Sequence, residues 1–145
     1  MCKFHTMFLS QAGQVYACGH GLGGRLGLSA ERTVLTPEPL KSITQEVCTH
    51  ISCGRDHNVL LMETGSVWTC GSNVHHQLGH VPPIEKLLTP KIISKVFQGH
   101  VILGVCAARF HSVVYSQEAI FTFGLNAGQL GMHGDFKYFR WVGLW

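Results

Sequence analysis

One phrase repeated three times limits what this chain can fold into more than any other feature of its sequence. In each copy, strand-forming residues that begin near a histidine lead into a glycine-rich corner and close on a Leu-Gly pair, at 2–27, 53–79 and 107–131. The three Leu-Gly pairs recur at a strict interval of 52 residues. A period of about 50 residues predicts stacked supersecondary units, because one unit of that size cannot bury its hydrophobic face alone.

Each copy contains a predicted β-hairpin. The second copy is the clearest, since the apolar run at 57–62 and the β-rich run at 66–70 flank a turn that contains Gly65. A further β-rich segment precedes the second and third hairpins, at 47–53 and 101–107. Each period therefore holds about four short strands and no segment with helical periodicity, which is typical of a propeller blade.

Residues that recur once per copy are predicted to be structural. A histidine opens the same strand each time, and a shared hydrogen-bonding role explains this better than catalysis, because buried polar groups normally find partners. Glycine allows the positive φ and the close backbone approach that a tight exit from a strand demands. The recurring positions are His5, His57, His111, Gly19, Gly71, Gly124, Gly27, Gly79 and Gly131.

Composition narrows the class of protein. Hydrophobic residues make up 46% of the 145 residues and charged residues 13%, which predicts a packed core and not a disordered chain. The formal charge of +3 comes from scattered basic residues without a basic run, so we expect no nucleic-acid partner. No secretory signal or membrane-length apolar run is visible, so we expect a cytoplasmic protein without an intrinsic membrane span and with reduced cysteines.

Two local patterns could signal chemistry, and both have a simpler interpretation. Cys48, His50, Cys53 and His57 offer ligands that zinc accepts, but alternation along a strand separates the cysteines, and the pattern does not recur in the third copy. Residues 19–24 match the Gly-x-Gly-x-x-Gly pattern of dinucleotide sites, but no helix is predicted to follow. We therefore expect no metal, no cofactor and no catalytic residue, and the chain is not expected to be an enzyme.

The sequence of the glycine-rich corner is similar to that of a known repeat family. Gly71-Ser72-Asn73 followed by Gln77-Leu78-Gly79, and the related letters at 124–131, resemble the regulator of chromosome condensation repeat. The first copy departs from that pattern, with Gly21 in the Asn place and Arg25 in the Gln place. Members of the family fold as seven-bladed β-propellers. The resemblance thus implies an all-β fold, here a partial, three-blade β-propeller with about four short antiparallel strands per blade.

The resemblance also sets the expected domain boundaries. We expect a partial β-propeller over 1–131 and an atypical aromatic tail over 132–145, where a third linker like those with Thr36-Pro37 and Thr89-Pro90 is absent. The expected repeats run over about 1–52, 53–106 and 107–131. Because three copies do not close a seven-bladed ring, we expect a fragment, a short isoform or a truncated product, with self-association through the open blade ends.

The residues between the repeated positions resemble one branch of the family, and that resemblance implies a function. CKFHTMFLSQAGQVYACGHGLGGRLG and RFHSVVYSQEAIFTFGLNAGQLG resemble the propeller region of family members that inhibit a tyrosine kinase. That resemblance implies a non-catalytic protein-binding module that docks on the kinase's pleckstrin-homology domain, restrains its activity, and reaches the membrane, if at all, through that partner. The alternative is a guanine-nucleotide exchange factor or a general propeller scaffold. Partner contacts are expected in rim loops, by position alone, at Arg25, His75, His76 and Lys86.

Overall fold

Three antiparallel β-sheets make up the computed structural model, which describes residues 2–82, 84–93, 96–97, 99–128, 130 and 140–143. The strands are, in the first sheet, β1 (His5–Leu9), β2 (Val15–Gly19) and β3 (Val34–Pro39); in the second, β4 (Cys48–Cys53), β5 (His57–Met62), β6 (Val67–Ser72) and β7 (Lys86–Ile92); and in the third, β8 (Ile102–Ala107), β9 (His111–Ser116), β10 (Ala119–Gly124) and β11 (Arg140–Gly143). Single turns of 3-10 helix at Leu22–Gly24 and Lys41–Ile43 flank β3. The predicted all-β fold is confirmed. No helix among the described residues is long and apolar enough to cross a membrane.

The recurring histidines and corner glycines face each other across each hairpin. The register pairs His5 with Gly19, His57 with Gly71, and His111 with Gly124. All three glycines have a positive φ, between 111° and 123°. A Cβ atom on any of them would lie within 2.7 Å of the Cα atom of the paired histidine. The corner therefore needs glycine for both reasons, since other residues rarely adopt this φ and would collide with the neighbouring strand.

The second sheet lies at the centre of the core, between the other two sheets, and both of its faces are covered. Every residue of β5 is buried, and successive side chains point to opposite faces. Leu60 belongs to the cluster shared with the first sheet, which includes Leu26. Val59 belongs to the cluster shared with the third sheet, which includes Phe123. Burying a side chain of this size stabilises the fold by about 1.5–3 kcal/mol, so the face-to-face stacking of the sheets holds the copies together.

The two Thr-Pro segments interpreted above as linkers are strands, and that interpretation is wrong. Thr36-Pro37 lies in β3 and Thr89-Pro90 lies in β7, each at an edge of its sheet. Pro lacks an N–H group and is tolerated in a sheet at an edge or a bulge. Both edge pairings also contain a register shift, opposite Ala17–Gly19 in β2 and Thr69–Gly71 in β6. The irregular pairing accommodates the proline.

Part of the expected tail joins the third sheet. The strand β11 pairs antiparallel with β10, from Thr122 opposite Arg140 to Ala119 opposite Gly143. Gly131 and the remaining aromatic residues of 132–145 lie outside the described residues. The boundary between a propeller over 1–131 and an atypical tail therefore stays a prediction.

Candidate functional site

The repeated histidines link each sheet to the next one. The ring of His5 donates from Nε2 to Oδ1 of Asn58, at 2.6 Å. In the same way, Nε2 of His57 donates to Oγ of Ser112, at 2.8 Å. The acceptor is each time the residue that follows the histidine of the next copy. These donors are assigned because Oδ1 of Asn58 can only accept, and because the hydroxyl proton of Ser112 is donated to the carbonyl oxygen of Gln77.

That second bond closes the connection between copies. Asn58 donates from Nδ2 to the carbonyl oxygen of Arg25, at 2.6 Å, and Ser112 donates from Oγ to that of Gln77, at 2.8 Å. Each carbonyl lies in the corner of the copy that supplied the histidine. Burial lowers the pKa of His57 to about 3, so the ring is neutral at pH 7. The geometry of His57 suits a structural connection between sheets and not a catalytic base.

The four residues expected as partner contacts do not form a single site. Arg25 is buried, with 7% of its surface exposed, and its Nη1 lies 3.2 Å from Oδ1 of Asp56. The rings of His75 and Phe110 pack edge to face, with the centroids 4.8 Å apart. His76 and Lys86 line a separate groove of about 650 Å³ between the first two corners. As partner contacts, these residues stay predictions.

The sequence analysis missed a cluster of basic side chains. One cation from each copy lines the same cleft. Lys3, Arg55 and Arg109 each stand two residues before the repeated histidine of their copy. Together they line a cleft of about 420 Å³. The other lining residues are small, and they are Cys2, Cys53, Gly54, Ala107 and Ala108. The fold thus gathers charges that are 52 and 54 residues apart in the sequence.

Aromatic rings hold these cations in place. The guanidinium carbon of Arg55 lies 5.9 Å from the ring centroid of Phe4 and 5.6 Å from that of Phe110. Arg109 lies over Phe110 at 5.0 Å, and Lys3 lies over Phe4 at 5.2 Å. A cation within about 6 Å of a ring centroid is attracted by the electrons of the ring face. The two phenylalanines therefore restrict where the cations point.

One carboxylate lies among these cations. Asp56 occupies in the second copy the position that Phe4 and Phe110 occupy in the others. Its Oδ1 faces Arg25, and its Oδ2 lies 3.6 Å from Nε of Arg55. Both carboxylate oxygens are thus engaged. Aligning the three copies position by position would have found these cations, because each stands two residues before its histidine. A search for consecutive basic residues could not find them.

The cysteines that were weighed and discounted as zinc ligands are not gathered with a set of further ligands. Within the described residues, no group of three or more His, Cys, Asp or Glu side chains is placed to hold a metal ion. Burial raises the pKa of the Cys48 thiol to about 11 and that of Cys70 to about 12, so both thiols are protonated at pH 7. A metal requires the thiolate, and burial disfavours that form here.

The sequence matches a family model over most of the described copies. The model of the regulator of chromosome condensation (RCC1) repeat matches residues 12–61 and 64–115, and a second model of the same repeat matches residues 48–77. Together these matches cover the second hairpin with His57, and Ser112 of the third copy, to which His57 is hydrogen-bonded.

Curated relatives resemble the chain over nearly its whole length. The human protein "Inhibitor of Bruton tyrosine kinase" is 48% identical over 132 residues, which cover 90% of this chain and 10% of that protein. Human "Protein RCC2" is 30% identical over 139 residues, which cover 94% of this chain and 26% of that protein. The chain thus spans about a tenth of the length of the kinase inhibitor.

Solved structures share the fold. Human WBSCR16 superposes with a TM-score of 0.85 at 18% identity, covering 98% of this chain and 36% of that one. Prp20p from Saccharomyces cerevisiae superposes with a TM-score of 0.80 at 19% identity, covering 99% of this chain and 36% of that one. At these identities the likeness concerns the fold alone.

Proposed function

The chain belongs to the regulator of chromosome condensation repeat family, and on that premise we propose that it is a non-catalytic protein-binding module that docks on the pleckstrin-homology domain of Bruton tyrosine kinase and restrains its activity. The identity of 48% over 132 residues to the human kinase inhibitor is the observation that carries this proposal. The identity to human RCC2 over a similar length is 30%, which favours the kinase inhibitor as the functional model.

The described side chains support a binding role over a catalytic one. His5 and His57, the most deeply buried of the repeated histidines, are each hydrogen-bonded to a neighbouring sheet. Lys3 and Arg109, at the rim of the cleft, are exposed and available for contact. A concentration of one sign of charge steers an oppositely charged protein surface and raises the association rate. The protein would act in the cytoplasm by occupying a regulatory domain of the kinase.

A binding titration tests this proposal. The chain is titrated into the isolated pleckstrin-homology domain by isothermal titration calorimetry. An unrelated pleckstrin-homology domain serves as the control for non-specific binding. We expect saturable binding to the first domain and none to the second. A folded chain that binds neither domain, or both equally, would contradict the proposal. Accelerated nucleotide release from a small GTPase would instead support the exchange-factor alternative.

A further inference from the structure

The cations of the cleft exceed its anions. Lys3, Arg25, Arg55 and Arg109 surround it or support its rim, and Asp56 supplies the one carboxylate among the described residues there. We propose that this cleft binds an acidic peptide segment of a partner protein, whose carboxylates pair with Lys3 and Arg109. The inference rests on the proposed function in one respect, that the chain binds a protein.

Two basic side chains outside the cleft form ion pairs with carboxylates, unlike Lys3 and Arg109 of the cleft. Arg32 is paired with Glu38, and Lys86 is paired with Glu31, so each of these cations is already balanced. Within the described part of the chain, Lys3 and Arg109 form no ion pair, and both are exposed. In the cleft, Lys3 and Arg109 therefore lack a carboxylate partner among the described residues. They lie beside Arg55, which shares the carboxylate of Asp56 with Arg25.

The arginine geometry suits carboxylates. A guanidinium presents N–H donors in a flat fork that matches two carboxylate oxygens, and such paired bonds are shorter and stronger than neutral ones. Arg55 is held between two rings, with its side chain 39% exposed. A side chain already restricted loses less rotamer freedom when a ligand arrives. The stacked Arg55 thus offers a preorganised edge between the two free cations.

The same features disfavour a nucleic acid. Single strands bind by stacking bases on aromatic faces, and here guanidinium and ammonium groups already lie over the faces of Phe4 and Phe110. Non-specific binding to a nucleic acid depends on the number of phosphates that are neutralised, and this cleft offers only three cations for them among its described lining residues. A cleft of about 420 Å³ with a floor of small side chains admits a few carboxylate side chains of an extended segment.

Fluorescence anisotropy with a short fluorescein-labelled peptide rich in Glu tests the inference on the full chain. We expect binding that weakens as salt rises. Lys3→Gln and Arg109→Gln should each weaken it by about 1.4-fold to fivefold, the range for one exposed ion pair. Lys41→Gln removes an equal charge from the exposed 3-10 turn after β3 and should leave the affinity unchanged. A Lys-rich peptide and a single-stranded oligonucleotide of matched charge serve as ligand controls.

Each outcome decides between the two proposals. If the peptide binds, and if it also competes with the pleckstrin-homology domain, the cleft is the docking site. If the domain binds but the peptide does not, the inference fails and the proposed function stands. If the peptide binds but the domain does not, the acidic-peptide site stands and the named partner fails. An oligonucleotide that binds more tightly than the peptide, or equal losses in all three variants, would overturn the inference.

Discussion

Replacing His57 with alanine should destabilise the fold by breaking the connection between the second and third sheets. The side chain has 0% of its surface exposed and donates to Ser112 at 2.8 Å. Losing one partner of a buried hydrogen bond costs about 1–3 kcal/mol. An unfilled space of ~60 Å³, roughly the volume of the ring, adds about 1.5 kcal/mol at about 24 cal/mol per Å³. The expected loss in unfolding free energy is therefore about 2.5–4.5 kcal/mol.

Urea unfolding followed by Trp fluorescence and circular dichroism measures this loss. His57→Gln retains an N–H donor at the same number of bonds from Cβ as Nε2 of histidine, and it should recover part of the loss. His111→Ala is the matched control, because His111 is only partly buried and its ring makes no hydrogen bond among the described residues. We expect that control to cost less than about 1 kcal/mol. Equal losses for His57→Ala and His111→Ala would refute the reasoning, as would unchanged stability with lost partner binding.

Three further changes test other parts of the account. His57 alone should contribute about 1.4 kcal/mol per pH unit to the acid destabilisation of the wild type, between the ordinary histidine pKa and that of the buried ring: its pKa is lowered from 6.5 to about 3, so the unfolded chain binds the extra proton as pH falls through that window. Urea titrations at several pH values should show a shallower slope for His57→Gln, and identical slopes would contradict the pKa argument. Gly71→Ala should destabilise by at least about 1 kcal/mol more than Gly65→Ala in thermal melts, because both have positive φ but only Gly71 lies against backbone atoms; equal losses would remove the close-approach explanation. Ending the chain at Gly131 removes β11 and uncovers an edge of β10, so light scattering should detect more self-association; better solubility with unchanged melting would contradict this.

The repeat predicted most of the fold because its period and its hairpins are local signals. The segments expected at 57–62 and 66–70 became β5 and β6, and those at 47–53 and 101–107 became β4 and β8, with small shifts at the ends. The strands β3 and β7 were missed because proline and polar residues conceal an edge strand, whose pairing depends on the neighbour already being in place.

The site was harder to predict because it depends on how the copies stack. The histidines could be identified as structural from their recurrence, but the sequence did not show that they would bond to the residue after the next histidine. Arg25 was expected on a rim, and it lies buried beside Asp56 because its charge is neutralised there. The cleft cations are far apart in the chain, and only the stacking of the three sheets places them side by side.

Kinase activity measured with and without the pleckstrin-homology domain is the most direct test of the central claim. Autophosphorylation of full-length Bruton tyrosine kinase is followed as the chain is added, alongside a kinase lacking that domain. We expect the chain to slow the full-length kinase in a saturable way and to leave the shortened kinase unaffected. Equal inhibition of both kinases, or no inhibition of the full-length kinase at concentrations that saturate binding, would contradict it.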